Sequence, residues 1–475
     1  MKTTTLILFI FFQIGNVTAQ YSKIEWISTT ENKQWKVHSE KFLYQSGNKP
    51  DVELLIDKGL QTIEGFGGCF NELGWTSLNE LYESDRQSVL KELFAPDFGA
   101  NFNICRMPVG ANDFSLDWYS YDESDGDFDL KNFTIKNDLK TLVPFIKNAL
   151  QLNPDIKIWA SPWSPPSWMK WNKHYACSVP WQGLDPKYNN HLSVDKQGKE
   201  GTNMFIQKDD YLQSYAFYFS KFIQEYRKQG IEISSVMPQN EFNSCQIFPS
   251  CTWTPSALAN FVGNYLGSAM NKLGVEIMFG TMERPNVELV DTVLMDEKAS
   301  SYVKGVGFQW AGKDAISEIH KKYPKLKLYQ TEQECGDGKN DWNYCCYAWD
   351  LMKRYFNNGV SAYMYWNISL EKGGFSRWGW QQNSLITIDS NSKTYHYNYE
   401  YYLIKHFSHY IKPGARLLEM KGSFHNLLAF ANPDKSIILI VQNETSEIRE
   451  ITFKLGGSTF AAKLEPKSFN TISIK

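Results

Sequence analysis

The sequence predicts an α/β protein, a (β/α)8 barrel with an appended β-sandwich formed from both chain termini. Three observations predict it. From Thr62 onward, short apolar strand candidates alternate eight times with helical segments. The strand candidates end in polar and aromatic residues, as the open face of such a barrel requires. After about Tyr402 the pattern changes to short strands separated by turns. A doubly wound open sheet would carry a glycine-rich phosphate fingerprint, and none is present.

The chain opens with Lys2, an apolar run from Leu6 to Phe12, and small residues reaching Val17-Thr18-Ala19. That order reads as a cleavable signal peptide over residues 1–19, which places the protein in the periplasm or outside the cell. The run is shorter than the roughly 20 residues of a membrane span. No later stretch is apolar enough, so the mature chain is expected to have no integral membrane segment. Residues 20–61, with strand character from Ile24 to Leu55, are assigned to the sandwich, residues 62–401 to the barrel and residues 402–475 to the rest of the sandwich.

The eight barrel strands are expected at Ile63 to Phe70, Phe102 to Val109, Ile156 to Trp163, Ile233 to Glu241, Glu276 to Thr281, Gly305 to Trp310, Leu326 to Glu332 and Ala362 to Asn367. Between them, Leu139, Leu142, Val143, Ile146 and Leu150 share one helical face, and Ser84 with Gln87 reads as a capping box ahead of Val89, Leu90 and Leu93. Gly230 closes the helical run from Asp210 to Gln229. In the C-terminal module the turn Asn432-Pro433-Asp434 precedes a strand from Ile437 to Val441.

A formal net charge of −3 gives no basic footprint, so nucleic acid is not expected as a partner. Aromatic residues make up 15% of the chain, including 16 Trp and 26 Tyr, more than an aliphatic barrel core needs. Flat amphipathic rings suit the apolar faces of sugars. The eight Cys contain no C-x-x-C and the eight His no H-E-x-x-H, so no structural or catalytic metal is expected. Cys245 and Cys251 are spaced to close a short loop, although connectivity does not follow from sequence.

Working residues of such a barrel sit where strands end on the open face. Those ends are Arg106-Met107-Pro108 with Asp113 beyond, Ser161-Pro162-Trp163, Gln239-Asn240-Glu241, Thr331-Glu332 and Tyr365-Trp366-Asn367. Two glutamates on different strands can meet across the mouth. A retaining glycosidase needs that pair, one carboxyl protonating the leaving oxygen and the other attacking from about 5 to 5.5 Å away. Asn240, beside Glu241, is placed to hydrogen-bond a sugar hydroxyl. Alternation puts Glu334 on the same side of the chain as Glu332, so periodicity leaves the second carboxylate open between them.

The stretches Gly65-Phe66-Gly67-Gly68, Arg106-Met107-Pro108, Asn112-Asp113-Phe114-Ser115, Ala160-Ser161-Pro162-Trp163-Ser164-Pro165-Pro166-Ser167-Trp168, Asn240-Glu241, Thr331-Glu332, Trp366-Asn367-Ile368-Ser369-Leu370 and Phe407-Ser408 together resemble glycoside hydrolase family 30. That is the family of lysosomal glucosylceramidase and microbial β-1,6-glucanases. The resemblance implies retaining hydrolysis of β-glycosides without a cofactor. Glu241 falls on the acid/base and Glu332, not Glu334, on the nucleophile, while Asp113, Trp163, Asn240 and Trp366 fall on substrate-binding positions. It also implies a carbohydrate substrate: β-1,6-glucan first, then a short β-glucoside, glucosylceramide or another β-glycoside. A non-catalytic glycan-binding protein would be expected to have lost a glutamate, and both are present. Two departures bear on the substrate: Phe242 replaces the usual Pro after the acid/base, and Ala311 stands where glucosylceramidase has Tyr.

Overall fold

The computed structural model describes residues 23–39, the strand Leu43–Tyr44 and residues 49–475. The predicted leader, residues 1–19, lies outside the described residues.

Eight parallel strands close a barrel: Gly65–Cys69, Ile104–Pro108, Lys157–Ser161, Ser235–Val236, Glu276–Met282, Val303–Gln309, Lys327–Glu332 and Ala362–Asn367. Each falls at the place its hydrophobic pattern indicates. The barrel interior is filled by Ile104, Trp159, Met237, Met278, Tyr329, Ala362 and Met364. Glycine makes room among them, since a Cβ at Gly307 would lie 2.6 Å from Met237 and Thr331. The fourth strand is the shortest because Pro238, two residues on, has no N–H for the ladder. The chain therefore leaves the sheet early and turns at Glu241, whose φ is +46°.

The surrounding helices follow their apolar faces, with two corrections. The helix Glu83–Phe94 starts at Glu83 with Tyr82 as its cap, so Ser84 lies inside the first turn and forms no capping box. Leu139 precedes the helix Leu142–Leu152 in a short turn and is exposed, whereas Leu142, Val143, Phe145, Ile146 and Ala149 are buried. The helix Asp209–Lys228 ends where expected, with Gly230 at φ +78°.

A ten-stranded sheet forms the second module, and its order interleaves the two chain ends. Ile24–Thr30 pairs with Ser468–Ile474, and Val52–Thr62 lies between Arg416–Gly422 and Arg449–Leu455. Trp26, Val52 and Leu54 share one core with Leu439, Phe453, Phe460 and Ile472. The sandwich is thus built from both termini. The change of pattern expected at Tyr402 falls inside a helix, Tyr399–Ser408, and sandwich strands resume only at Arg416. Leu403, Ile404 and Phe407 hold that helix to the barrel, with the Phe407 ring 5.9 Å from Phe66 and 6.0 Å from Phe356. All eight cysteines are free thiols, so Cys245 and Cys251 do not close a loop.

Between helix and sandwich, His406 is fully buried and bonds Thr29 and Thr471, both at 2.8 Å. Burial, with the charge of Lys405 adding to it, pulls the imidazole from 6.5 down to about 3. The unfolded chain takes up a proton near pH 6.5 and the folded chain does not, so stability present above that pH is lost as pH falls toward about 3. Thermal midpoints measured from pH 7 to pH 4 should fall less steeply for His406→Gln than for the wild type. Equal slopes would remove His406 from the acid response. Separately, a fragment starting at Thr62 loses Ile24–Thr30 from beside Ser468–Ile474 and Val52–Thr62 from inside the sheet, between Arg416–Gly422 and Arg449–Leu455. It should be recovered insoluble or with a broadened melt, and a cooperative wild-type-like transition would show that the barrel stands without them.

Candidate active site

At the mouth of the barrel the central group is Arg106, from the second strand, with no exposed surface. One guanidinium nitrogen donates to Glu332 Oε2 at 2.9 Å and to the Thr331 carbonyl at 3.3 Å. The other donates to Ser161 Oγ at 3.0 Å and Asn240 Oδ1 at 2.6 Å. The guanidinium lies 4.3 Å from the centre of the Trp163 ring. Strands two, three, four and seven are drawn to one cation.

Gln309, the last residue of strand six, joins the two glutamates. Its Nε2 donates to Glu241 Oε1 at 3.0 Å and to Glu332 Oε2 at 3.3 Å, while its Oε1 accepts from Thr331 Oγ1 at 2.8 Å. A single nitrogen bonded to both keeps those oxygens below the separation of about 6.5 Å at which inverting enzymes begin. Glu334 is turned elsewhere, paired with Lys313 Nζ and Tyr347 Oη, each at 2.6 Å. Side-chain geometry thus separates the two carboxylates that alternation leaves equivalent.

Asn240 Oδ1 accepts from Arg106, from Thr281 Oγ1 at 3.0 Å and from Gln309 at 3.3 Å. Its amide is oriented with the oxygen inward, leaving Nδ2 as a donor on the pocket side. The Glu241 backbone N–H donates to Thr281 Oγ1 at 2.9 Å, which fixes the turn carrying the carboxylate.

Part of this cluster lines a cavity of about 560 Å³. Asp113, Trp163, Asn240, Glu241 and Glu332 all reach its wall. Trp366 lies one layer back, stacked on Trp163 with centroids 5.3 Å apart. Burial raises the pKa of Glu241, and Gln309 and Arg106 work against the rise. Burial also raises Glu332, opposed by Arg106 and reinforced by the charge of Glu241. Asp113 is driven well up by burial and by both glutamates. Carboxyls crowded this way cannot all ionise together, and direct contact with the guanidinium favours the charge on Glu332.

Gln309, which bonds both glutamates, and the cavity-lining Glu283 and Arg284 are among the residues that sequence reading passed over. Gln309 sits at a predicted strand end, which was a usable signal; Glu283 follows a strand end by one residue and has no pattern of its own. Of the two departures, Phe242 points into the core beside Phe279, and Ala311 lines the cavity next to Trp310. Among the described residues, no group of His, Cys, Asp and Glu side chains comes together as a metal site.

The profile of the glycosyl hydrolase family 30 TIM-barrel domain matches residues 63–411, and that of the family's beta sandwich domain matches residues 418–472. Putative glucosylceramidase 1 of Caenorhabditis elegans is 29% identical over 448 residues, covering 88% of this chain and 81% of its own. Endo-1,6-beta-D-glucanase neg1 of Aspergillus fumigatus is 29% identical over 414 residues, covering 81% and 78%. The solved structure of the endo-beta1,6-glucanase BT3312 superposes with a TM-score of 0.80 at 25% identity, covering 95% of this chain and 99% of that one.

Replacing Arg106 by Gln keeps donors but removes the buried charge that its partners were arranged to meet. Arg106→Gln should lower stability by about 3 to 5 kcal/mol in denaturant titration, the cost of breaking a buried pair. Losing the cation that holds Glu332 down raises that carboxyl, so the acid limb of the kcat/KM profile should move to higher pH. An acid limb that stays in place would mean that Arg106 does not set the charge of Glu332.

Proposed function

The chain belongs to glycosyl hydrolase family 30, and from that membership we propose a retaining β-glucanase whose nucleophile is Glu332 and whose acid/base is Glu241. The observation that carries the assignment of roles is the pair of carboxyls sharing Gln309 Nε2, with Arg106 bonded to only one of them. Contact with the buried guanidinium favours the ionised form of Glu332 against the burial that lifts it to about 7. Glu241, raised by burial with no cation at bonding distance among the described residues, is the proton carrier of the pair.

In the first step the Glu332 carboxylate attacks the anomeric carbon as Glu241 gives its proton to the glycosidic oxygen, releasing the leaving group. In the second, Glu241 takes a proton from water, which attacks the same carbon and frees Glu332. Asn240 Nδ2 is the donor for the hydroxyl next to the reacting carbon. Asp113, whose Oδ1 has no hydrogen-bond partner among the described residues, accepts or donates to hydroxyls further round the ring. Trp163 covers the apolar face of that sugar.

We propose β-1,6-glucan as substrate. Beyond Glu241 the lining includes the polar side chains of Ser244, Gln246, Glu283 and Arg284 beside Phe248, and those polar groups suit a hydroxylated leaving group. Trp380, which also lines the cavity, has Trp181 5.1 Å away at the surface, an aromatic path leading out of the cavity. The endo-1,6-beta-glucanases among the relatives point the same way. The relatives named as glucosylceramidases support the second reading, a β-glucosidase of glucosylceramide type. No helix among the described residues is long and apolar enough to cross a membrane. The leader-like residues 1–19 support an exported enzyme that meets its polymer outside the cytoplasm.

The two glutamates act in different steps, and their variants separate them. Glu241→Ala should cost about 10² to 10⁴ in rate, less on an activated aryl glucoside whose leaving group needs no proton. Glu332→Ala should slow good and poor leaving groups alike. With azide added, Glu241→Ala should give the β-glycosyl azide by intercepting the covalent intermediate, and Glu332→Ala the α product. Azide products in the reverse order would exchange the roles.

A further inference from the structure

The cavity holds a carboxyl that the two-step mechanism does not use. Glu283 directly follows strand five and is 2% exposed, yet it lines the cavity beyond Glu241. Its Oε1 accepts from Ser244 Oγ at 2.8 Å and pairs with Arg284 Nη1 at 3.5 Å. Its Oε2 is buried with no hydrogen-bond partner among the described residues. Leaving a carboxyl oxygen unmatched in a buried site is unfavourable, and a ligand hydroxyl would offset that cost.

The neighbours hold this group still. Arg284 is clamped by Glu200 through bonds of 2.9 and 3.2 Å and also donates to Ser244 Oγ at 3.3 Å. The Ser244 backbone N–H bonds the Glu241 carbonyl at 2.8 Å, which ties the cluster to the turn that carries the proton donor. We propose that Glu283, supported by Ser244 and Arg284, is the binding site for the hydroxyl groups of the sugar on the leaving-group side. The assignment of sides rests on the reading of Glu241 as the acid: a leaving group must sit against the residue that protonates it, and Glu283 is tied to the turn that carries Glu241 through Ser244, whereas Asp113 and Trp163 follow strands two and three. Burial raises the Glu283 carboxyl toward its protonated form, which offers a hydroxyl donor as well as an acceptor. A saccharide leaving group meets both, and an apolar one meets neither. Glu283 thereby selects for sugar over lipid.

The test is a ratio. Wild type, Glu283→Gln and Glu283→Leu are assayed on β-1,6-linked gluco-oligosaccharides and on 4-nitrophenyl β-glucoside, whose leaving group has no sugar hydroxyl. Because Glu283 adjoins Glu241, both substrates slow. The ratio of kcat/KM for oligosaccharide over aryl glucoside should fall about 10- to 100-fold in Glu283→Leu, with partial recovery in Glu283→Gln. A ratio unchanged in both variants means a purely structural or electrostatic role and overturns the proposal. Should the wild type hydrolyse an aryl β-glycoside but not β-1,6-linked glucan, the substrate reading above falls and the site is still tested. Transfer from that aryl glycoside to added methyl glucoside occupies the leaving-group side, and Glu283→Leu should lower transfer relative to hydrolysis. Unaltered partitioning overturns the proposal there too.

Discussion

A guanidinium with no exposed surface is the constraint on which the mouth of this barrel depends. Removing Arg106 from water costs several kcal/mol unless its donors are matched, so the residues around it are largely fixed by its hydrogen-bond geometry. The planar fork meets a carboxylate and a carbonyl on one side and a hydroxyl and an amide oxygen on the other, and the faces are covered by tryptophans. An ammonium on a flexible stem offers no such division. The same contacts that hold the cation give Glu332 its charge and Asn240 its orientation.

The electrostatics of the cavity follow from that single charge. Asp113, Glu241, Glu283 and Glu332 are all buried in one wall system, and burial raises each of them. Arg106 faces Glu332, Arg284 faces Glu283 and Lys313 faces Glu334. Among the described residues Asp113 and Glu241 are therefore the cavity acids without an ion pair, and burial favours the proton on each. Double displacement needs one ionised carboxyl and one protonated carboxyl at the same pH, and unequal sharing of Arg106 supplies the difference between Glu241 and Glu332.

Much of this was legible in the sequence for reasons of period and position. Eight apolar strands separated by helices locate the barrel, and polar residues at their ends mark the open face, so Glu241, Asn240 and Arg106 are found before any coordinates are known. What alternation cannot see is which of two carboxylates on the same side finds a partner: Glu332 and Glu334 differ only in that Arg106 reaches one and Lys313 the other. Gln309 and Glu283 act through tertiary contacts that have no local signature. Ser84 and Gln87 matched a capping spacing, but the helix began one residue before Ser84. The helix Tyr399–Ser408 was hidden because its buried face, which includes Glu400, Lys405 and His406, does not read as apolar.

That helix explains why a barrel enzyme carries a sandwich at all. One end of it bonds the sandwich through His406, which joins the strand Ile24–Thr30 to Ser468–Ile474 by way of Thr29 and Thr471. The other end carries Glu400, fully buried, which accepts from Tyr365 Oη at 2.8 Å and from Gln333 Nε2 and Asn383 Nδ2 at 3.2 Å each. Gln333 is the residue after Glu332, and Tyr365 is the residue before Trp366, which backs Trp163. A buried acid lifted to about 8 by burial and met by three donors is a fixed anchor, since moving it would leave all three unmatched. The positions of the Glu332 strand end and of the tryptophan layer are therefore referred, through one helix, to a sheet that only the two chain ends together can complete.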